Sequence, residues 1–386
     1  METDEQFKNK VEQYVGRIVE KSLEMVKTET FGDFHGSLKA GKMGNKFTDV
    51  KQFADSLVNS CVKDGLQEIH KLSKSKPILC IGICTLDFVI ICDEYPIEDS
   101  KTLAIGNYWA RGGNASNTST VLAHLGAQVE YFGTMVDNQW LTFLQTDFKE
   151  TGVCIENCII LNHEKHKAPI APLIISKKKG TRTAIPDFNG IVGVTYEQFS
   201  SLDIGKYSWI HLESRSFEGR TDDIENIVTR IVRYNTVNNA GRKVLVSVEL
   251  EQPNSTNPEF RFLFGKADIV LIGKDYAIDD GYANKEETVR GLYKLCKAGT
   301  ILVCAWGEDG AAALVDDKLE VSPAFPPEKV VDTLGAGDTF NAGFIYAFSR
   351  GKSVAKALEF GCIVAGHKCG CHGFSCVKGL QRKVYL

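Results

Sequence analysis

The sequence contains no apolar run that approaches the roughly 20 residues needed to cross a bilayer. It also lacks an excess of positive charge, because 45 basic residues stand against 49 acidic ones and give a net charge of -4. That balance provides no electrostatic footprint for nucleic acid, and the short basic run at 177–179 is typical of a solvated loop. The acidic, polar start is unlike a signal peptide. We therefore expect a cytoplasmic protein with no membrane span and no nucleic-acid partner.

Zinc-finger spacing and a histidine-paired nucleophile are missing as well. Twelve cysteines are present, but most lie in apolar strand-like or helix-like stretches, such as Cys80, Cys84, Cys304 and Cys362. Buried reduced thiols are the simplest interpretation in a cytoplasmic chain. The densest cysteine group, at 369–376, has no paired ligands at zinc-finger spacing. None of the eight histidines lies in a His-Cys or His-Ser catalytic context.

The length of 386 residues and the hydrophobic share of 43% allow a large core in one or two domains. Apolar strand-like runs alternate with amphipathic helical patterns, which predicts parallel β-α-β units and a doubly wound α/β sheet flanked by helices. The predicted strands are 78–84, 128–132, 207–212, 244–248, 268–272 and 300–304. The predicted helices are 116–125, 140–150, 221–238, 285–297, 339–349 and 353–369. Two segments interrupt this order, at 88–111 and 169–184, and their alternating pattern predicts a small antiparallel sheet.

A glycine-rich motif at 331–340 sets Asp338 directly behind a turn that contains Gly335 and Gly337. Glycine backbones can converge on an anion without a Cβ in the way, and the dipole of the following helix favours negative charge. Asp338 is placed there to accept the proton of an attacking hydroxyl. By itself the motif is equally compatible with an ordinary glycine turn and an N-capping Asp.

A second motif, at 109–117, sets Asn114 and Asn117 three residues apart at the start of a helix. Side chains at this spacing share a helix face, so both amides can meet sugar hydroxyls in one cavity. For either Asn alone, a helix cap is the commoner role. Upstream, the run 78–84 leads into Asp87, and a carboxylate at the end of a parallel strand lies where open α/β sheets bind ligands.

In this order the motifs resemble those of the ribokinase-like sugar kinases over residues 77–377, and the ketohexokinase branch in particular. Further stretches that carry the resemblance are 209–213, 302–306, 324–327 and 360–366. The resemblance implies transfer of the γ-phosphoryl group of ATP to the 1-hydroxyl of fructose. It implies ATP and Mg²⁺ as cofactors, together with a monovalent cation such as K⁺. Ribose and adenosine would need the same base and anion hole, so both remain open as acceptors.

The resemblance also implies roles for individual residues. The general base is Asp338, and the anion hole is Gly335, Ala336 and Gly337. The sugar-binding residues are Asp87, Gly113, Asn114 and Asn117. The nucleotide-binding residues are Arg182, Glu308, Gly310, Phe325, Pro326, Cys362 and Ala365. Arg182 alone would indicate an exposed hairpin arginine.

The small sheet corresponds to the lid of these kinases, which would exclude water on closure. In ketohexokinases two lids clasp into a homodimer, and Asp99 corresponds to a lid residue that approaches the partner's sugar site. Asp99 equally suits a plain turn.

The magnesium ligands cannot be carried over. Many relatives have an Asn-x-x-Glu segment near the metal, whereas the run 269–272 here leads into Gly273-Lys274-Asp275-Tyr276. Ketohexokinases also lack that segment. Mg²⁺ keeps several waters and needs only one or two carboxylates, for which Glu249 and Glu251 are candidates. Lys274 is either a phosphate contact or, more commonly, a surface lysine.

Residues 1–76 lie outside the resemblance and form an extension to a kinase domain at 77–386. Two segments in it repeat an apolar spacing of four residues at an offset of 43, with Tyr14, Ile18 and Ser22 matched by later positions. Such stripes predict two amphipathic helices. They would pack on the kinase or on each other, or lie in the groove of a protein partner. Their spacing resembles the helices that A-kinase anchoring proteins present to regulatory dimers, which leaves a docking module as an alternative function.

Overall fold

The computed structural model describes residues 76–385 except 188–189, 191, 239–242 and 251–257, and Lys76–Leu386 forms one compact unit. The two predicted helices of the extension and Glu251 lie outside the described residues. The boundary at residue 76 therefore stays a prediction.

Fourteen strands are numbered here in chain order within the described residues. They are β1 Ile78–Ile81, β2 Thr85–Cys92, β3 Gly106–Gly112, β4 Val129–Phe132, β5 Thr134–Asp137, β6 Ile159–Asn162, β7 Ile170–Ser176, β8 Thr181–Ala184, β9 Trp209–Glu213, β10 Leu245–Leu250, β11 Ile269–Ile272, β12 Ile301–Ala305, β13 Ala311–Val315 and β14 Lys318–Ser322. The α-helices are α1 Asn114–His124, α2 Leu141–Thr151, α3 Tyr196–Ser200, α4 Thr221–Val237, α5 Lys274–Asp279, α6 Lys285–Leu292, α7 Ala336–Ser349, α8 Val354–Cys369 and α9 Leu380–Tyr385.

The main sheet has eight strands in the order β14-β13-β12-β11-β10-β9-β1-β4. Every pair from β4 to β12 is parallel, and β13 and β14 complete the edge as an antiparallel hairpin. Strands such as β1 and β11 are buried along their whole length because helices cover both faces of the sheet. Two apolar clusters form on the two faces, and each fully buried Val, Ile or Leu in them contributes about 1.5–3 kcal/mol. This architecture confirms the predicted doubly wound, mostly parallel fold.

The six predicted strands of this sheet are present, with one substantial difference in extent. The predicted strand 78–84 ends at Ile81, and the chain leaves the main sheet before β2 begins at Thr85. Asp87 therefore lies within β2 of the small sheet, and not at the end of a main-sheet strand. The prediction was wrong on this point because one unbroken apolar run serves two different sheets, which its composition does not separate.

The small sheet has the order β3-β2-β7-β8. The pairs β2–β3 and β7–β8 are antiparallel, but β2 and β7 are parallel. The prediction of an all-antiparallel sheet was therefore wrong for its central pair. Between the hairpins β2–β3 and β7–β8 the chain forms β4 of the main sheet. It then enters β7 from the same end of the small sheet at which it entered β2. We call this four-stranded sheet the lid.

The cysteines also differ from expectation at one place. Cys371 and Cys376 form a disulfide, whereas the nine other described cysteines, including Cys80 and Cys304, are free thiols. The loop after α8 brings the two together across Gly373, which has a positive φ of 63°. No helix in the described part of the chain is long and apolar enough to span a membrane.

Candidate active site

Two helix N-termini meet at the carboxyl end of the main sheet and bring distant motifs together. Asn117 on α1 donates from Nδ2 to Oδ2 of Asp338 on α7 over 2.7 Å, although 221 residues separate them. The hydroxyl of Thr118 lies 3.4 Å from the Asp338 carbonyl oxygen, and Asp338 is buried, with 4% of its surface exposed. The carboxylate is thus held in one orientation by the same helix that carries the predicted sugar amides.

The glycine turn before Asp338 adopts the conformation that the motif requires. Gly335 is the N-cap of the 14-residue helix α7 and has a left-handed φ of 72°. A Cβ at Gly335 would overlap the ring of Phe374, so glycine is needed for space as well as for conformation. The Ala336 amide donates to the Thr333 carbonyl oxygen over 3.2 Å and closes the turn. Since the first amides of a helix have no partner within it, the turn at Gly335 and Gly337 can receive an anion.

Asp87 faces the same cavity from the lid. Its Oδ1 accepts a hydrogen bond from the Thr85 hydroxyl over 2.8 Å, and its carboxylate occupies the space that a Cβ on Gly112 would fill. Burial raises the pKa of Asp87 from 3.8 to about 6. The Thr85 hydrogen bond lowers that pKa, as do the charges of Arg215, Arg111 and Arg182. The protein therefore keeps a desolvated carboxylate where a sugar hydroxyl could donate to it.

Asn114 is oriented by a charged network. Arg215 Nη2 donates to Asn114 Oδ1 over 2.9 Å, and the same guanidinium donates twice to Glu213 Oε1. The other Glu213 oxygen accepts the backbone amides of Ile83 and Ala115 at 3.0 and 3.1 Å. Glu213 thus joins the end of β9 to the start of α1, and Arg215 fixes which way the Asn114 amide points.

Gly113 makes this close approach possible. It has a φ of 96°, and a Cβ there would overlap the Ile83 carbonyl oxygen. The chain can therefore turn from β3 into α1 directly against the loop after β1.

A second buried carboxylate, Glu249, lies at the end of β10. Its Oε1 accepts hydrogen bonds from Asn341 over 2.9 Å and from Asn114 over 3.3 Å. His211 Nε2 lies 3.7 Å from Glu249 Oε2, and its Nδ1 lies 2.8 Å from the Ser247 hydroxyl. Burial lowers the pKa of His211 to about 4, so the imidazole is neutral near pH 7.

The backbone amides of the glycine turn suit a phosphate, whereas a buried carboxylate such as Glu249 suits a cation. Among the described residues, no group of three or more His, Cys, Asp and Glu side chains could hold a metal. An ion that enters with a nucleotide and keeps most of its waters needs few protein ligands, and Glu249 is a described candidate for one.

The predicted nucleotide residues line the edge of the sheet near β12 and β14. Lys274 donates to Glu308 over 2.9 Å, and this hydrogen bond lowers the pKa of Glu308. Gly310 has a φ of 86°, and a Cβ there would overlap the Ser322 carbonyl oxygen. Lys274 is therefore paired, and not directed at a phosphate, in this structure.

The remaining nucleotide residues belong to α8 and the loop after β14. Gly366 lets the Phe325 backbone pack directly on α8, because a Cβ there would overlap the Phe325 carbonyl oxygen. Burial raises the pKa of Cys362 to about 11, and a hydrogen bond with Ser322 opposes that change. The other two predicted positions lie beside these, Pro326 in the loop and Ala365 on the helix.

Arg182 and Asp99 lie at the periphery. Arg182 is exposed on β8, yet its charge lowers the pKa of both Asp87 and Lys368, which places it within electrostatic range of the cavity. Asp99 lies in the exposed loop between β2 and β3 with a φ of 55°. It does not join the cluster of sugar residues in its own chain.

Glu213, Arg215 and Asn341 received no role from the sequence. Glu213 directly follows the predicted strand 207–212 and is the last residue of β9, and Arg215 lies two residues further on. The carboxyl ends of parallel strands are where such sheets bind ligands. Asn341 lies three residues after Asp338 and so shares its helix face. These spacings are the signals that could have identified them.

Fold and site together define a phosphoryl-transfer enzyme: a doubly wound sheet whose carboxyl end carries a glycine-turned helix N-terminus, a buried carboxylate and a cluster of polar side chains beside the lid. A family model described as pfkB family carbohydrate kinase matches residues 75–377, and the chain belongs to this family of sugar kinases.

Known relatives agree with this assignment. The chain is 40% identical to ketohexokinase from Mus musculus over 302 residues, which cover 78% of this chain and 98% of the relative. It is 23% identical to ribokinase from Bacillus subtilis over 283 residues, which cover 73% of this chain and 89% of that protein. The resemblance to ketohexokinases within the ribokinase-like kinases is thereby confirmed.

Solved structures agree on the fold. Ribokinase from Giardia lamblia superposes with a TM-score of 0.66 at 14% identity, covering 79% of this chain and 96% of that one. Adenosine kinase from Sinorhizobium meliloti also gives a TM-score of 0.66, at 20% identity, covering 80% of this chain and 99% of that one.

Proposed function

We propose that this protein transfers the γ-phosphoryl group of ATP to the 1-hydroxyl of fructose and releases fructose 1-phosphate. The observation that carries the proposal is the 2.7 Å contact between Asn117 and Asp338, which unites the sugar motif with the phosphate motif in one cavity. The 40% identity to a ketohexokinase supports fructose as the acceptor.

In the proposed reaction, each residue has a separate task. Asp87, Asn114 and Asn117 orient the sugar through hydrogen bonds to its hydroxyls. Asp338 accepts the proton of the attacking hydroxyl as the new O–P bond forms and the bond to the leaving ADP oxygen breaks. The amides of Gly335 and Gly337 and the charge of Arg182 stabilise the negative charge on the transferring group. The Ala336 amide, which donates to the Thr333 carbonyl oxygen in this structure, would join them by exchanging that bond for the phosphate.

The nucleotide would extend from this turn along the loop after β14 and the second half of α8. Glu308, Gly310, Phe325, Pro326, Cys362 and Ala365 are its proposed contacts. Bound Mg²⁺ would neutralise the phosphate oxygens. A monovalent cation such as K⁺ belongs to the same proposal, and exchange of K⁺ for Na⁺ at constant ionic strength tests it.

Phosphoryl transfer requires neither zinc nor a redox cofactor. We place the reaction in the cytoplasm. Nine free thiols among the described residues suit a reducing compartment, and the Cys371–Cys376 disulfide is the exception.

The lid supports a homodimer as the working form. The lid strands and the segments that flank them expose a set of large apolar side chains: Tyr95, Ile97, Leu103, Ile105, Trp109 and Ile185. Exposed apolar patches of this kind indicate protein contacts. In such a dimer Asp99 would approach the sugar site of the partner subunit.

The repeated apolar stripe of residues 1–76 favours a second function, in which the extension docks on a protein partner. Regulatory dimers of protein kinase A are the partner that the helix spacing suggests. Pull-down by the full chain, compared with a Val19→Pro and Val62→Pro double variant, tests this, because proline would break each predicted helix. Equal capture by both proteins, or capture by neither, would remove the hypothesis.

A panel of fructose, ribose and adenosine with MgATP tests the enzymatic proposal. Coupled ADP release gives the acceptor preference, and phosphorus NMR gives the position of the new ester. We expect fructose 1-phosphate. A 6-phosphate product, or a clear preference for ribose or adenosine, would contradict the assignment.

A further inference from the structure

A buried lysine lies directly behind the glycine turn and has no part in the reaction proposed above. Lys368 is in the last turn of α8 and is fully buried. Its Nζ donates to the Asp332 carbonyl oxygen and to Asp332 Oδ2, both over 2.8 Å. Its ammonium also lies 5.6 Å from the centroid of the Phe374 ring. Both charges of this pair are removed from water, at a desolvation cost that a surface pair would avoid.

Asp332 uses its two carboxylate oxygens to shape the turn. Oδ1 accepts the Leu334 amide over 2.8 Å, and Oδ2 accepts the Gly373 amide over 3.2 Å. The amide of Asp332 donates to the Cys369 carbonyl oxygen over 3.2 Å. One side chain therefore ties together the entry to the turn, the end of α8 and the loop after it, and Lys368 holds that side chain in place.

The same contacts continue to the anion-binding position. Phe374, one residue after Gly373, lies against Gly335, whose positive φ aims the first amides of α7. A shift of Asp332 would therefore move Leu334, which leads into the glycine turn, and the Phe374 ring, which packs against Gly335. A displacement of about 1 Å in such a group can lower a rate by about 10²-fold.

Two charged neighbours, Asp332 and Arg182, change the pKa of Lys368. Burial lowers the pKa of Lys368, and the hydrogen bond and charge of Asp332 raise it. The charge of Arg182 on β8 lowers this pKa further. Lys368 therefore lies within electrostatic range of a proposed phosphate contact. Apolar residues of the same volume would stabilise a buried site equally well or better, so stability alone does not account for an ion pair here.

We propose that Lys368 is a positioning residue for phosphoryl transfer, whose ammonium holds Asp332 and thereby the Gly335–Gly337 turn in its phosphate-binding shape. This inference rests on the proposed phosphoryl transfer. It does not depend on which sugar is the acceptor.

The test compares Lys368→Met with a matched variant on the same helix, Lys356→Met, whose side chain is exposed and paired with Glu359 at the surface. We expect Lys368→Met to lower kcat about 10- to 100-fold and to raise the KM for ATP about threefold or more. Affinity for fructose, measured by calorimetry without nucleotide, should stay within about twofold, because Lys368 contacts none of the sugar residues. Lys356→Met should leave all three quantities unchanged.

A double variant, Lys368→Met with Asp332→Asn, separates positioning from stability. It leaves no uncompensated buried charge, so its thermal midpoint should return towards that of the wild type while kcat stays low. This variant decides the question even if Lys368→Met alone does not fold. A double variant with wild-type kcat, or a folded Lys368→Met with wild-type kcat and KM for ATP, would overturn the proposal. If the acceptor panel identified another sugar, the same comparison would be made with that sugar.

Discussion

At the residue scale, the candidate site contains carboxylates that the fold buries and orients. Asp338, Asp87 and Glu249 are all buried, and each accepts a hydrogen bond from a neighbouring Asn or Thr. Such groups bind hydroxyls and cations strongly because water does not compete with the ligand. For Asp87 burial raises the pKa, so its ionised form is less stable here than in water, and its contributions to binding and to folding are opposite in sign.

Replacement of Asp338 by Asn tests the proposed base. The amide has nearly the same shape but cannot accept a proton at neutral pH, so we expect kcat to fall roughly 10²- to 10⁴-fold. Fructose affinity and the thermal midpoint should change little. Asp317→Asn, in the exposed turn after β13, is the matched control. Turnover close to that of the wild type would show that another group removes the proton.

Asp87 predicts a pH dependence for sugar binding. Because burial raises its pKa to about 6, the carboxylate is ionised at pH 7 and becomes protonated as the pH falls through about 6. We expect kcat/KM for fructose to fall below about pH 6, and the pH profile of Asp87→Asn to lose this step at a lower overall level. Steady-state kinetics from pH 5 to 8 measure it. An unchanged profile in Asp87→Asn would assign the step to another group.

The same shift has the opposite effect on stability. The folded-state pKa lies above the unfolded value of 3.8, so the contribution to stability is fully present below that value and is lost as the pH rises through about 6. The difference corresponds to about 3 kcal/mol. Asp87→Asn should therefore raise the free energy of unfolding of the unliganded protein at pH 7, by up to that amount, and by much less at pH 4. Urea unfolding at the two pH values checks this, and equal effects at both would contradict it.

At the element scale, the loop between α8 and α9 supports the proposed phosphate site. It carries Gly373, which donates to Asp332, and Phe374, which packs on Gly335. The Phe374 carbonyl oxygen also lies 3.0 Å from His124 Nδ1 at the end of α1. One short loop thus contacts the ends of two helices that form the site, and the Cys371–Cys376 disulfide closes that loop.

This disulfide predicts a redox-dependent stability. A disulfide that closes so short a loop restricts the unfolded chain and contributes about 2 kcal/mol. We expect the Cys371→Ser and Cys376→Ser double variant to unfold at lower urea concentration than the wild type without reductant. With dithiothreitol the two proteins should unfold together, which serves as the control. Equal stability in the absence of reductant would rule out a contribution from the bridge.

At the scale of the whole molecule, the lid and its connecting loop carry large apolar side chains that a single chain leaves exposed. Leu103 and Ile97 are 79% and 77% exposed, respectively, on the lid segment between β2 and β3. The main sheet, by contrast, is covered by helices on both faces. In the proposed homodimer a second copy would cover this apolar surface.

Leu103→Glu tests the lid dimer. A charge in the centre of an apolar contact is costly to bury, so we expect a dimeric wild type and a variant shifted towards monomer. Val237→Glu is a matched control, because Val237 is also 77% exposed but lies at the end of α4, outside the lid. Light scattering after size exclusion gives the masses. A monomeric wild type, or a fully dimeric Leu103→Glu protein, would contradict the lid interface.

The sequence by itself determined the elements and the order of the chemical motifs. The amphipathic pattern of α4 identifies a helix by its period, whereas the short buried runs β9 and β11 are identified as strands by their length and their β-branched and aromatic residues. The turn before Asp338 is identifiable because only glycine tolerates its backbone. Family resemblance then supplied the expected role of each motif residue.

Only the tertiary structure decided which side chains meet. The parallel pairing of β2 with β7, the lid position of Asp87 and the Cys371–Cys376 bridge depend on contacts between distant segments. The same is true of Arg215 on Asn114 and Lys368 on Asp332, which join residues from different elements. A local pattern carries no information about such contacts, because the free energy that selects them comes from burial and charge pairing across the assembled sheet and helices.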